Sequence, residues 1–60
     1  MDPNITLERM RILTAAVLKG YEDKGSNGVD QDDAADLAEY VKSLDEWLSK
    51  GGFKPDAWQK

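Results

Sequence analysis

The chain contains no cysteine and no histidine. Without cysteine there is neither a disulfide framework nor a thiolate zinc site, and without histidine neither an imidazole-bound metal nor a Ser–His nucleophile pair can form. Its apolar runs fall far short of the roughly 20 residues that a membrane-spanning helix needs, and the start of the chain lacks the pattern of a secretory signal. The sequence therefore predicts no catalytic, cofactor-binding or metal-binding residues, no membrane partner and a cytoplasmic location.

Sixty residues allow one small domain, with twelve acidic residues, eight basic residues and a net charge of −4. A domain of this size buries only about 60% of the surface that its unfolded chain exposes. Without disulfides or a metal, such chains depend on closely packed helices or on pairing with a second copy. The hydrophobic content of 40% is sufficient for a modest core and argues against disorder.

The apolar residues of the first half follow a helical spacing. They form a stripe in steps of three and four, made of Leu7, Met10, Thr14, Val17 and Tyr21. This spacing predicts an amphipathic helix over about 7–23, with Leu13 and Leu18 widening the stripe on its two flanks. Thr6 is the preferred N-cap, and Asp2 or Asn4 are alternative caps of a helix that starts earlier.

The second half predicts another helix with clearer ends. Residues 24–29 are rich in glycine and predict a loop. Asp30 is the expected N-cap of a helix over about 31–50, with Asp33 in the reciprocal capping position. Its apolar stripe is Ala34, Leu37, Val41, Leu44 and Leu48. Gly51 and Gly52 permit a left-handed helix ending, and Pro55 blocks continuation.

These elements predict an all-α fold in which residues 1–60 form a single antiparallel two-helix hairpin. The tail, residues 51–60, carries Phe53 and Trp58. This much aromatic surface favours a tail that packs back on the hairpin near Trp47 or Tyr40.

A two-helix hairpin covers the centre of each apolar stripe and leaves the flanks partly open. The residues expected to form an interface there are Leu13, Leu18, Tyr40, Trp47 and Trp58. Two arrangements remain open: a homodimer that builds a four-helix bundle, and a monomer closed by its own tail. The absence of a chemical site favours a non-catalytic protein–protein interaction module, with itself or a host protein as partner.

Four acidic residues cluster around the start of the second helix, namely Asp30, Asp32, Asp33 and Asp36. Aspartate is favoured in helix caps and first turns, which explains the cluster structurally. The functional alternative is an acidic decoy that binds the basic surface of a host DNA-binding protein. Direct nucleic-acid binding is not expected, because the second helix lacks a basic face. A calcium loop is not expected either, because Ala34 stands where the bidentate glutamate would be.

The ending DEWLSKGGFKPDAW, residues 45–58, resembles the C-terminal pattern of many small proteins of actinobacterial viruses. The preceding DAADLAE run, residues 33–39, is also similar. The resemblance covers about the second half of the chain and implies an uncharacterised bacteriophage protein that acts in the cytoplasm of an infected host. It brings no catalytic or binding residues with it.

Overall fold

The computed structural model describes residues 1–59, and none of them lies in a β-strand. Helix α1 spans Pro3–Lys24, a 3-10 turn follows at Gly25–Gly28, and helix α2 spans Gln31–Ser49. A second 3-10 turn, Asp56–Trp58, lies in the tail. The two helices pack against each other, so the predicted all-α hairpin is confirmed. The last residue of the predicted tail, Lys60, lies outside the described residues.

Helix α1 begins four residues before the predicted start at Leu7, because Asp2 caps it. The Asp2 carboxylate accepts hydrogen bonds from the backbone N–H groups of Asn4 at 2.9 Å and Ile5 at 3.4 Å. The prediction that Thr6 is the cap is wrong, since its buried hydroxyl donates to the Asp2 carbonyl oxygen at 3.0 Å. Asp2 is followed by Pro3, whose fixed φ suits the first helical position, and this pair outweighs the later cap.

The cap and the C-terminal ending of α2 are those predicted, but the Asp33 side chain makes no reciprocal bond to the Asp30 N–H. The Asp30 carboxylate accepts from the backbone N–H groups of Asp32 at 2.8 Å and Asp33 at 3.4 Å. At the other end Gly51 has a φ of 91°. The Gly52 N–H donates to the Trp47 carbonyl at 2.9 Å, and the Gly51 N–H donates to the Leu48 carbonyl at 3.1 Å. This pair of bonds is a Schellman ending.

The covered positions of the two helices, here called the seam, include most of the predicted stripes: Leu7, Met10, Val17, Ala34, Leu37, Leu44 and Leu48. They also extend to one side of those stripes, at Thr6, Leu13, Gly20, Asp33, Tyr40 and Trp47. Leu13, Tyr40 and Trp47, predicted to lie on the flanks, are each half-buried. Tyr21 and Val41, predicted to lie in the stripes that face each other, are exposed.

The hairpin is closed at the loop end by two glycines. A Cβ atom added to Gly20 would collide with the carbonyl oxygen of Gly28, and a Cβ added to Gly28 would collide with that of Gly20. The last turn of α1 and the 3-10 turn thus touch backbone to backbone, which only glycine permits. Gly20 is therefore a packing position, whereas its sequence context suggests only a weakened helix.

Candidate functional site

Eight large apolar side chains of residues 1–59 are exposed: Met1, Ile5, Ile12, Leu18, Tyr21, Val41, Phe53 and Trp58. Helical spacing places Leu18 and Tyr21 on one flank of α1, and Val41 and Trp58 line one groove. We call these four side chains the apolar face. The exposed fractions are 56% for Leu18, 58% for Tyr21, 46% for Val41 and 41% for Trp58. Scattered exposed apolar residues are ordinary, whereas a contiguous group marks a contact surface. The apolar face is thus the main candidate site of this chain.

The flank of α1 that carries Leu18 and Tyr21 is covered at one end and open at the other. Leu7 lies on this flank near the helix start and is only 6% exposed. Leu7, Asp56 and Ala57 line one cleft, so the tail lies beside Leu7. No such cover reaches Leu18, three turns further along the same helix. The tail therefore covers only the first part of this apolar flank.

A groove runs along the apolar face where the two helices and the tail meet. It has a volume of about 200 Å³, and its apolar lining consists of Met10, Val41, Leu44, Leu48 and Trp58. Asp45 stands at the rim and supplies the one charged group of the lining. An apolar trough with a single carboxylate at its edge suits an amphipathic side chain such as tyrosine, whose ring is apolar and whose hydroxyl donates a hydrogen bond.

The tail returns to the hairpin through polar and proline contacts. The Trp47 indole N–H donates to the Phe53 carbonyl oxygen at 2.9 Å, and the two rings meet edge to face at 5.5 Å and 83°. Pro55 is fully buried. The Asp56 N–H donates to the Asn4 side-chain oxygen at 2.6 Å. These contacts fix the chain that leads to Trp58, while the Phe53 side chain itself is mostly exposed.

The acidic cluster divides into capping and free carboxylates. Asp30 uses its carboxylate to cap α2, and Asp33 is half-buried at the loop end of the seam. Asp32 and Asp36 are exposed. Asp32 lies in the first turn, where the helix dipole favours a negative charge. Only part of the cluster is thus free to meet a partner.

The predicted interface residues differ in exposure. Leu18 and Trp58 are exposed and belong to the apolar face, whereas Leu13, Tyr40 and Trp47 are half-buried. Sequence reasoning missed Tyr21 and Val41 as surface residues because it assigned them to the core. The signal was the width of the apolar arc on each helix, which exceeds what one neighbouring helix covers.

Among residues 1–59 no group of three or more acidic side chains is arranged to hold a metal ion. Within the same range, neither helix has the length and apolar character needed to cross a bilayer.

Comparison with known proteins identifies no relative of this chain. No protein-family model, no curated protein sequence and no solved structure matches it. Any functional proposal must therefore be carried by the apolar face and the chemistry of the residues themselves.

Proposed function

We propose that this chain is a non-catalytic protein–protein interaction module whose working surface is the apolar face. The observation that carries the proposal is the concentration of exposed Leu18, Tyr21, Val41 and Trp58 on one flank of the hairpin. The cost of keeping such side chains in water is offset when a second protein covers them. Association of two hairpins into a four-helix bundle is one way to supply that cover.

The tail has a supporting role in this proposal. The bonds at Asn4 and Trp47 and the buried Pro55 bring Trp58 beside Val41 and Leu48. The aromatic tail would thus pack back to extend the apolar face, adding a wall to the groove. The phage origin suggested by the ending of the sequence fits a small contact protein that acts in the cytoplasm of an infected bacterium.

The second candidate is the acidic decoy, which rests on the exposed carboxylates of Asp32 and Asp36. The double substitution Asp32→Asn and Asp36→Asn removes two charges and leaves the Asp30 cap in place. If the decoy is the function, this variant loses a basic protein partner, and the loss is greatest at low salt. An interaction that depends on the apolar face survives the same change.

Site-specific photocrosslinking tests the main proposal. A benzophenone amino acid is placed at Leu18 in one variant and at Ile5 in another, and both are irradiated in an actinobacterial host. Ile5 is a matched control, because it is 54% exposed on the same helix and lies about 140° around the helix from Leu18. Crosslinks to any protein, including the chain itself, are expected from position 18 and not from position 5. Equal crosslinking from both positions, or none from position 18, would contradict the proposal.

A further inference from the structure

We propose that a second copy of this chain covers the apolar face, in a two-fold symmetric pair with antiparallel α1 helices. In this pair Tyr21 of each copy enters the groove beside Trp58 of the other. The inference rests on the proposed contact function and names the partner of that surface.

The chain exposes more surface than a compact domain of its mass. Its accessible surface is 4648 Å², whereas a compact monomer of this mass exposes about 3,900 Å². The radius of gyration, 13.0 Å, also exceeds the roughly 10 Å expected for 60 residues in one compact domain. The excess of roughly 750 Å² is close to the area of one side of a standard protein interface, ~800 Å².

Helix α1 carries a second stripe of exposed residues, and two copies of this stripe are complementary when the helices run antiparallel. Beside the seam, the residues that follow one another in steps of three and four are Arg11, Thr14, Leu18 and Tyr21, with Ala15 and Glu22 next to them. An antiparallel pair centred midway between Ala15 and Leu18 places each Leu18 over the partner's Ala15. The same register places each Arg11 opposite the partner's Glu22. The pair therefore has an apolar centre and an ion pair at each end, which sets both register and direction.

The register also brings a side chain to the groove. With this centre, the partner's Tyr21 is level with Ile12, about 3 Å along the axis from Met10 at 1.5 Å per residue. Met10 lines the groove together with Val41 and Trp58. A phenol ring that enters there meets apolar walls, and its hydroxyl faces the carboxylate of Asp45 at the rim. The proposed docking accounts both for the exposed position of Tyr21 and for the apolar groove beside Trp58.

Charge-reversal variants test the arrangement by sedimentation equilibrium from micromolar to millimolar concentration. Each single variant, Arg11→Glu or Glu22→Arg, sets like charges against each other twice per dimer and is expected to weaken association on the order of tenfold. In a mixture of the two variants every heterodimer regains two opposite pairs. The mixture is therefore expected to associate about as strongly as the unaltered chain. Circular dichroism confirms that each variant is helical.

A matched pair of apolar substitutions supplies the second arm. Leu18→Glu places a charge at the apolar centre and is expected to weaken association on the order of a hundredfold. Ile5→Glu makes the same change at a similarly exposed site outside the stripe and is expected to leave association unchanged. The inference is overturned by a monomeric unaltered chain, by a mixture that does not recover, or by equal effects of the two glutamates. A monomer that still crosslinks to a host protein from position 18 would overturn this inference and preserve the proposed function.

Discussion

At the scale of single residues, the helix caps show which side chains determine the ends of the helices. Asp2 and Asp30 each accept two backbone N–H bonds at a helix start. An unpaired N–H group near the surface is partly satisfied by water, so the gain from a cap is modest. The two aspartates nevertheless determine where α1 and α2 begin.

We expect Asp30→Ala to lower the free energy of unfolding by about 1 kcal/mol. Asp30→Asn should lower it much less, because the asparagine oxygen caps equally well. Urea denaturation followed by circular dichroism measures both variants. Asp36→Ala is the control, since Asp36 is acidic, exposed and outside the cap. If alanine at 30 and alanine at 36 have equal effects, the carboxylate at 30 does not act as a cap.

For the exchange of Gly20 for alanine, the expected change in stability is opposite to the change that helix propensity predicts. At an ordinary exposed helical position, exchanging glycine for alanine stabilises a protein by up to about 1 kcal/mol. At Gly20 the added methyl group collides with the carbonyl of Gly28. We therefore expect Gly20→Ala to destabilise the hairpin by about 1–3 kcal/mol.

Thermal unfolding of Gly20→Ala beside Ala16→Gly checks this account. Ala16 is exposed on the same helix and lies outside the proposed dimer stripe, so its change to glycine should follow propensity and cost up to about 1 kcal/mol. If Gly20 has no packing role, the protein with alanine is more stable than the protein with glycine at both positions. That result would refute the backbone contact.

At the scale of the elements, the sequence predicts the type and order of the helices better than their rotation. The Asp30 cap, the Schellman ending at Gly51 and the hairpin itself follow from local chemistry and spacing. The position of the seam around each helix does not follow from them, because the apolar arc of each helix is wider than the surface that contacts the other helix. A stripe centred on Thr14 and a stripe centred on Leu13 are both compatible with the sequence, and the structure covers Leu13 while Thr14 stays exposed.

The tail illustrates a second limit of local reasoning. Its aromatic residues predicted a tail packed near Trp47 or Tyr40, and the Phe53 ring does meet Trp47 edge to face. The most buried residue of the tail, however, is Pro55, whereas Phe53 is 57% exposed and Trp58 41% exposed. The Asp56 N–H meets the Asn4 side chain across 52 positions of the sequence. A polar bond between such distant residues has no periodic signature, so it could not be predicted from the pattern.

We expect Asn4→Ala to release the tail with only a small loss of global stability. The lost hydrogen bond contributes about 0.5–1.5 kcal/mol, and its loss should appear locally. Hydrogen exchange at the Asp56 amide measures it directly, with faster exchange expected in the variant and unchanged exchange within α2. Asn27→Ala, in the exposed loop, is the control. Unchanged exchange at Asp56 would show that Asn4 does not hold the tail.

At the scale of the whole molecule, the hairpin is incomplete on one side. Its most covered apolar side chains are few: Leu7 at 6%, Leu44 at 3%, and Pro3 and Pro55, which are fully buried. The large side chains of the apolar face stay exposed. The proposed contact function rests on this surface.

The most direct test of contact between two copies through the apolar face is a dilution series of amide NMR spectra. Self-association through the apolar face predicts concentration-dependent shifts at Leu18, Tyr21, Val41 and Trp58. The amides around Ile5, on the opposite side of α1, should stay unchanged over the same range. Spectra that do not change with concentration, or changes centred on Ile5, would contradict self-association through this face.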